Sequence, residues 1–280
     1  MLSYRHGFHA GNFADVLKHL VEVAILQYLK KKDTPFYYHD THAGAGLYKV
    51  AHTYMQKNRE YAGGIGRLWS ARPKSQLLQD YLGIIRQLNP DGVLAVYPGS
   101  PEIAVHMLRP TDRIWLGERH PTDFRILSEH YRRKAGVSCE MMDAWQGLKA
   151  RLPPRERRGL ILIDPPYELE NDYRQVSRGL EDALQRFAMG TYAVWYPVID
   201  ARTTDNLLRR FTVLPCKENL HVSLDIGKVE GGPSMHACGI VILNPPYTLE
   251  ATLKETLPEL LALLSANKHG DYVVEKLRGS

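Results

Sequence analysis

The amino-acid sequence predicts an α/β fold: an open, mostly parallel sheet of seven strands with the last strand reversed, flanked by helices and carrying one small helical insertion. Three observations carry this. The run Leu160-Ile161-Leu162-Ile163 is apolar at every position and bounded by Gly159 and Pro165, the pattern of a strand buried on both faces of a parallel sheet. Runs of this kind alternate with helical periodicities along most of the chain, as βαβ connections require. Near the end, two strand patterns, 219–225 and 237–243, are joined only through Gly231-Gly232-Pro233-Ser234, which reads as a hairpin with a longish loop.

Taken in order, the first eleven residues, including Tyr4-Arg5-His6-Gly7-Phe8-His9-Ala10-Gly11, are basic, aromatic and without helix or strand periodicity, and read as an arm. Asn12 is a good N-cap for a helix whose apolar positions run from Phe13 to Leu29 and whose end carries Lys30-Lys31-Lys32, cations suited to a helix C-terminus. Lys18 and His19 lie at the two borders of its apolar face, where a solvated lysine and a packed histidine compete with functional roles. Residues 35–40 form the first strand. It ends in the turn Thr41-His42-Ala43-Gly44-Ala45-Gly46, whose glycines let backbone approach a ligand closely. This Asp-x-x-x-Gly-x-Gly turn is not the dinucleotide fingerprint and by itself fits any βα loop.

Residues 50–98 leave the alternation. They show helical patterns over 61–71 and 77–88, with no convincing internal strand, and read as a helical insertion within a single domain spanning 1–280. Tyr97-Pro98-Gly99-Ser100-Pro101 returns the chain to the sheet edge, with Ser100 expected as N-cap. The second strand, 112–118, ends on Glu118, and an acid at that place commonly holds ribose hydroxyls. The third, 137–143, ends on Asp143-Ala144, and the fourth on Asp164. A helix over 173–187, a fifth strand over 191–197, a helix over 205–211, the hairpin and a last helix over 249–264 complete the fold.

The net charge of +5 is a mild basic bias compatible with a polyanionic partner. Cys139, Cys216 and Cys238 are odd in number, widely spaced and free of any Cys-x-x-Cys pair, which argues against a disulfide framework or zinc site and for the reducing cytoplasm. No run of 18 apolar residues is present, and the N-terminus lacks the apolar core of a signal peptide.

The chemistry concentrates at Asp164-Pro165-Pro166-Tyr167. In open α/β sheets ligands sit outside the carboxyl ends of the strands, so these four residues line the expected crevice. A flipped base can place one hydrogen of its exocyclic amine on Asp164 and the other on the Pro165 carbonyl, with Tyr167 stacked on its face. Both contacts draw the nitrogen lone pair out of the ring system and toward an electrophile, which points to methyl transfer onto an amino group. The same tetrapeptide is also a plausible plain turn after a strand. Asn244-Pro245-Pro246-Tyr247 repeats the pattern with Asn for Asp, but too little chain follows it, and a packing role is expected there.

With Asp40 to Gly46, Glu118, Asp143 and Asp164 to Tyr167 in that order, the chain resembles the Rossmann-like class I S-adenosylmethionine-dependent methyltransferases acting on adenine N6. The residues from Tyr4 to His19, Tyr97-Pro98-Gly99-Ser100-Pro101 and the stretch from Arg158 to Tyr167 resemble, more narrowly, the RlmJ family of 23S ribosomal RNA adenine-N6 methyltransferases. The resemblance implies S-adenosylmethionine as cofactor, with His19, His42, Gly44, Ser100, Glu118, Asp143, Ala144 and Asp164 around it. It places Asp164, Pro165 and Tyr167 at the catalytic position and associates Tyr4, His6 and Lys18 with 23S ribosomal RNA. A cytoplasmic monomer without a metal is expected.

Other classes remain open to the residues alone. DNA adenine is the runner-up substrate. His6, His9, His19, His39, Asp40 and His42 crowd the first fifth of the chain, as in a metal-dependent nuclease serving the use of external DNA, a label the family has also carried. That reading leaves Glu118 and Asp164 without a role. A catalytically idle RNA-binding scaffold is the third possibility, and the intact Asp-Pro-Pro-Tyr argues against it.

Overall fold

The computed structural model describes residues 6–167, 170–228, 235–265 and 269–277. Leu160 to Ile163 form the centre of the molecule as β6 (Gly159–Ile163), buried at every position. The first half of the chain supplies α1 (Phe13–Lys30), β1 (Tyr37–Asp40), β2 (Leu47–Lys49), α2 (Thr53–Asn58), α3 (Ile65–Trp69), α4 (Gln76–Gln87), β3 (Val96–Pro98), α5 (Ser100–Met107), β4 (Arg113–Gly117), α6 (Pro121–Tyr131), β5 (Val137–Glu140) and α7 (Ala144–Arg151). After β6 come α8 (Glu170–Arg186), β7 (Thr191–Pro197), α9 (Ala201–Thr212), β8 (Asn219–Asp225), β9 (Ala237–Leu243), α10 (Leu249–Leu264) and β10 (Asp271–Lys276). Among the described residues no helix is long and apolar enough to cross a membrane.

The sheet runs β10-β8-β9-β7-β6-β1-β4-β5. β5, β4, β1, β6 and β7 are mutually parallel, and β9 inserts antiparallel between β7 and β8. Among the described residues the sheet therefore has eight strands rather than seven. The addition, β10, pairs antiparallel with β8 at the edge. Its residues alternate weakly and only Val274 is buried, so it carries little hydrophobic signal.

Alternation along β6 divides the core between the two faces. Leu160 and Leu162 point to the larger cluster with α1, α4, α5 and α10, whereas Ile161 and Ile163 join the cluster formed with α7, α8 and α9. Each such burial stabilises by about 1.5–3 kcal/mol relative to exposure. α1 is buried almost throughout because it is wedged between the sheet and α4, α5 and α10. Asn12 is its N-cap as expected, accepting from the Asp15 amide at 2.9 Å.

Local differences follow from side-chain competition. The predicted helix over 61–71 is broken into a 3-10 turn, Glu60–Gly63, and α3, because Gly64 packs against the chain before α1. A Cβ there would lie 2.2 Å from the Gly11 carbonyl oxygen. Strand β3 is not at the main sheet's edge but pairs with β2 in a separate two-stranded ribbon, so the 50–98 segment is not purely helical. Ser100 is the first residue of α5 instead of its cap, which is Gly99, since the Ser100 hydroxyl is engaged by Asp40. His6 to Phe8 form a short 3-10 turn, and the loop 229–234 that joins the predicted hairpin lies outside the described residues.

Candidate active site

The carboxyl ends of β1, β4, β5 and β6 deliver the predicted acids to one edge. Asp40 is fully buried and accepts from the Ser100 hydroxyl at 2.6 Å, the His42 amide at 3.1 Å and the Tyr38 hydroxyl at 3.2 Å. Burial raises its carboxyl above the usual range. It fixes the turn that follows, where Gly44 and Gly46 take left-handed φ values of +60° and +80°. A Cβ on Gly44 would also collide with the Tyr48 hydroxyl at 2.3 Å, so this turn requires glycine.

Glu118 accepts from the Gly44 amide at 2.8 Å and the His120 amide at 2.6 Å, tying the β4 end to the glycine turn. Burial raises its pKa. Asp143 caps α7 through the Trp145 and Gln146 amides. His42 bonds through Nδ1 to the Thr41 hydroxyl at 2.8 Å, and that hydroxyl donates to the Leu162 carbonyl. Burial pushes the His42 pKa down to about 4, so the ring is neutral at pH 7.

A cavity of about 210 Å³ is lined by His42, Gly44, Glu118, Asp143, Ala144 and Asp164. Pro165 is on its wall as well. His19 and Ser100, the other expected cofactor residues, stand behind this cavity. Both are buried: His19 bonds through Nδ1 to the Tyr97 hydroxyl at 2.8 Å and is pushed down to about 3 by burial, and Ser100 is held by Asp40. Neither is among the residues that line the cavity.

A second cavity, of about 470 Å³, shares His6, Asp164 and Pro166 with the first. Its walls include Phe13, Ala14, Trp195, Ile226 and Met235, so it is largely apolar. Asp164 thus lies where the two spaces meet. Its Oδ2 pairs with the Lys18 ammonium at 2.5 Å. Lys18 is buried, contrary to a solvated reading, and also pairs with Asp15 at 2.9 Å, while His6 reaches Asp15 at 2.9 Å. Burial alone would lower the Lys18 pKa, but Asp15 and Asp164 on either side hold it well above the ordinary value. Burial likewise opposes the charge of Asp15, yet His6, Lys18 and His19 hold its carboxyl well below the usual range.

Asp15 was not singled out by the sequence reading. Its signal is a capping pattern: it is the third residue of α1, and its carboxylate accepts from the Gly11 amide at 2.9 Å. The segment before α1 is further clasped by Glu60, which bonds His9 at 3.0 Å and the Asn12 side-chain amide at 3.0 Å. That partner raises the His9 pKa. Tyr4 and Arg5 lie outside the described residues.

Tyr167 departs from its expected place. It adopts a left-handed φ of +49°, its ring is buried against Tyr173 and Trp195, and its hydroxyl donates to the Trp195 carbonyl at 2.8 Å. The ring supports the turn from beneath instead of offering a stacking face. Trp195, missed by the sequence reading, lines the apolar cavity in its stead. The second tetrapeptide behaves as expected: Asn244 donates to the Ala188 and Gly190 carbonyls and accepts from the Lys217 amide, a packing role.

The clustered histidines do not converge. His39 is fully buried against Trp115, His9 faces Glu60, and among the described residues no three His, Cys, Asp or Glu side chains are grouped as a metal would need.

The sheet order and the acids at four successive strand ends define a class I S-adenosylmethionine-dependent methyltransferase. Residues 33–277 match the family model described as "Ribosomal RNA large subunit methyltransferase D, RlmJ". The chain is 43% identical over 276 residues to the ribosomal RNA large subunit methyltransferase J of Haemophilus influenzae, covering 98% of each chain. It is 42% identical over 260 residues to the protein of that name from Escherichia coli K12, covering 93% of each. A crystal structure of a Legionella pneumophila protein superposes with a TM-score of 0.87 at 36% identity, covering 95% of this chain and 98% of that one. The chain belongs to the RlmJ family of ribosomal RNA large subunit methyltransferases and is an enzyme of that class.

Proposed function

We propose that this enzyme methylates N6 of an adenine in 23S ribosomal RNA by direct in-line transfer. The observation that carries the reading is the meeting of two cavities at Asp164: a smaller one walled by strand-end acids and the glycine turn, and a larger one with Pro166 and Trp195 on its wall and room for a base. S-adenosylmethionine supplies an electrophilic sulfonium methyl. The smaller cavity fits it, with Glu118 and Asp143 as acceptors for hydroxyl and amine groups and a turn at Gly44 that leaves room close to backbone.

Lys18 holds Oδ2 of Asp164, so Oδ1 is the oxygen presented to the target amine, and the Pro165 carbonyl accepts its second hydrogen. Pro166 and Trp195 bound the base. Because the electrophile is strong, the chain contributes chiefly by positioning and preorganised charge. The amine proton leaves after transfer, when the nitrogen has become cationic. His6, which lines both cavities, Lys18 and, outside the described residues, Tyr4 are assigned to the RNA side. We further read the chain as a single cytoplasmic, monomeric domain over 1–280, with 1–11 as an arm and 50–98 as an insertion. The contacts of Glu60 with His9 and Asn12 support the last two assignments.

The test is transfer of labelled methyl from S-adenosylmethionine to unmodified 23S ribosomal RNA, beside adenine-containing duplex DNA, with nucleoside analysis. Label in N6-methyladenosine from RNA alone is expected. Label in DNA would change the substrate class, and no label with cofactor bound would leave only the scaffold reading.

A further inference from the structure

Beyond Tyr167 the carboxyl edge of the sheet continues into an open groove of about 710 Å³ between α8 and α9. Pro166 faces the base cavity and Tyr167 faces this groove, so the two are one residue apart in the same turn. Three arginines line the groove, Arg174 from α8 and Arg202 and Arg210 from α9. Arg202, Asn206 and Arg210 are spaced four residues apart and form one stripe along α9. The stripe is about 12 Å long at 1.5 Å per residue, roughly the length of three stacked nucleotides at 3.4 Å each.

Among the described residues Asp200 is the acid lining the groove; it caps α9, accepting from the Thr203 amide at 2.9 Å, and that contact together with the nearby Arg202 holds its carboxyl below the usual range. Arg202 and Arg210 are both exposed, and among the described residues neither forms a salt bridge. Ile199, 68% exposed, sits in the same groove beside Tyr173, giving apolar surface next to the cations. Guanidinium groups grip phosphate, and apolar faces accept unpaired bases. A base extruded into the apolar cavity must carry its neighbouring phosphates over one rim of that cavity, and the groove that begins one residue further along the turn presents these arginines.

We propose that the α8–α9 groove holds the ribose-phosphate backbone on one side of the target nucleotide, with Arg202 and Arg210 each meeting a phosphate. The proposal rests on the reading of the chain as an enzyme acting on ribosomal RNA. Phosphate contacts position the strand without selecting sequence, so the groove sets affinity and register while the base cavity selects adenine.

The experiment uses the full-length double variant Arg202→Gln/Arg210→Gln, whose sites are exposed, and the charge-retaining Arg202→Lys/Arg210→Lys. Affinity for protein-free 23S ribosomal RNA is measured over a series of salt concentrations, together with kcat, KM and affinity for S-adenosylmethionine. For the glutamine variant KM is expected to rise about tenfold, and the slope of log affinity against log salt to shrink by about 1.4, at about 0.7 per single-strand phosphate contact. Its kcat and cofactor affinity stay within about twofold of the wild type, and the lysine variant keeps the wild-type slope. An unchanged KM and slope overturns the groove assignment, as does a fall in kcat at unchanged KM. A wild-type enzyme that methylates no RNA would instead remove the underlying reading.

Discussion

The two cavities that meet at Asp164 are built in opposite ways. The smaller takes most of its walls from turns that follow β1, β4, β5 and β6, with Glu118, Asp143 and Asp164 one to three residues past the strand ends. The larger is assembled from parts distant in the chain: Phe13 at the start of α1, Trp195 near the end of β7, Ile226 after β8 and Met235 before β9. The first is set by local rules, the second by tertiary packing. The ion-pair chain from His6 through Asp15 and Lys18 to Asp164 joins them.

That junction gives the largest expected effect. Lys18→Met leaves the buried Asp15 and the partly buried Asp164 without their shared cation. Loss of one partner from a buried pair costs about 3–5 kcal/mol, so denaturant unfolding at pH 7 should show a fall of that order, accompanied by loss of turnover. Full stability in the variant would show that the two cavities are not coupled through Lys18.

The next pair of substitutions separates the cavities. Glu118→Gln weakens the acceptor set of the smaller one and should lower cofactor affinity about tenfold with RNA affinity unchanged. Trp195→Leu removes an aromatic face from the larger one and should raise the RNA KM by about tenfold, the scale of base stacking at roughly 1–3 kcal/mol, with cofactor affinity unchanged. Isothermal titration of cofactor and steady-state kinetics on RNA read the two separately. Equal effects on both ligands would break the division.

The same division governs what could be read from the chain. Strand ends, the glycine turn, Glu118, Asp143 and Asp164 are legible because hydrophobic period and turn chemistry place them. Ser100 and His19 carry the right residue types, and the structure buries both with polar atoms held by Asp40 and Tyr97, partners that no local pattern announces. Tyr167 is adjacent to the catalytic acid in sequence, yet its left-handed backbone turns the ring into the core. Trp195 lies in a strand pattern that marks it only as sheet. β10 escaped notice because a half-exposed edge strand lacks apolar alternation. For Lys18 the sequence leaves a solvated and a functional reading open, because its partner Asp164 comes from 146 residues away.

A smaller effect concerns β1, between the cavities and the sheet's far face. His39 is fully buried and burial pushes its pKa down to about 3. The folded state therefore excludes the proton that the unfolded chain takes up below about pH 6.5. Stability is unaffected above that pH and falls as pH drops from 6.5 toward 3. At pH 5 the contribution is about 2 kcal/mol, at 1.36 kcal/mol per unit. His39→Leu should reduce the loss between pH 8 and pH 5 by that amount in denaturant melts, with turnover at pH 8 unchanged. An identical pH dependence would mean that His39 does not stay neutral.

The central claim is that one carboxylate serves both cavities, and Asp164→Asn tests it most directly. Methyl transfer to 23S ribosomal RNA should fall on the order of 10³-fold, as for loss of one preorganised charge, while cofactor and RNA each bind within about threefold of wild type. Turnover within tenfold of the wild type would contradict the account.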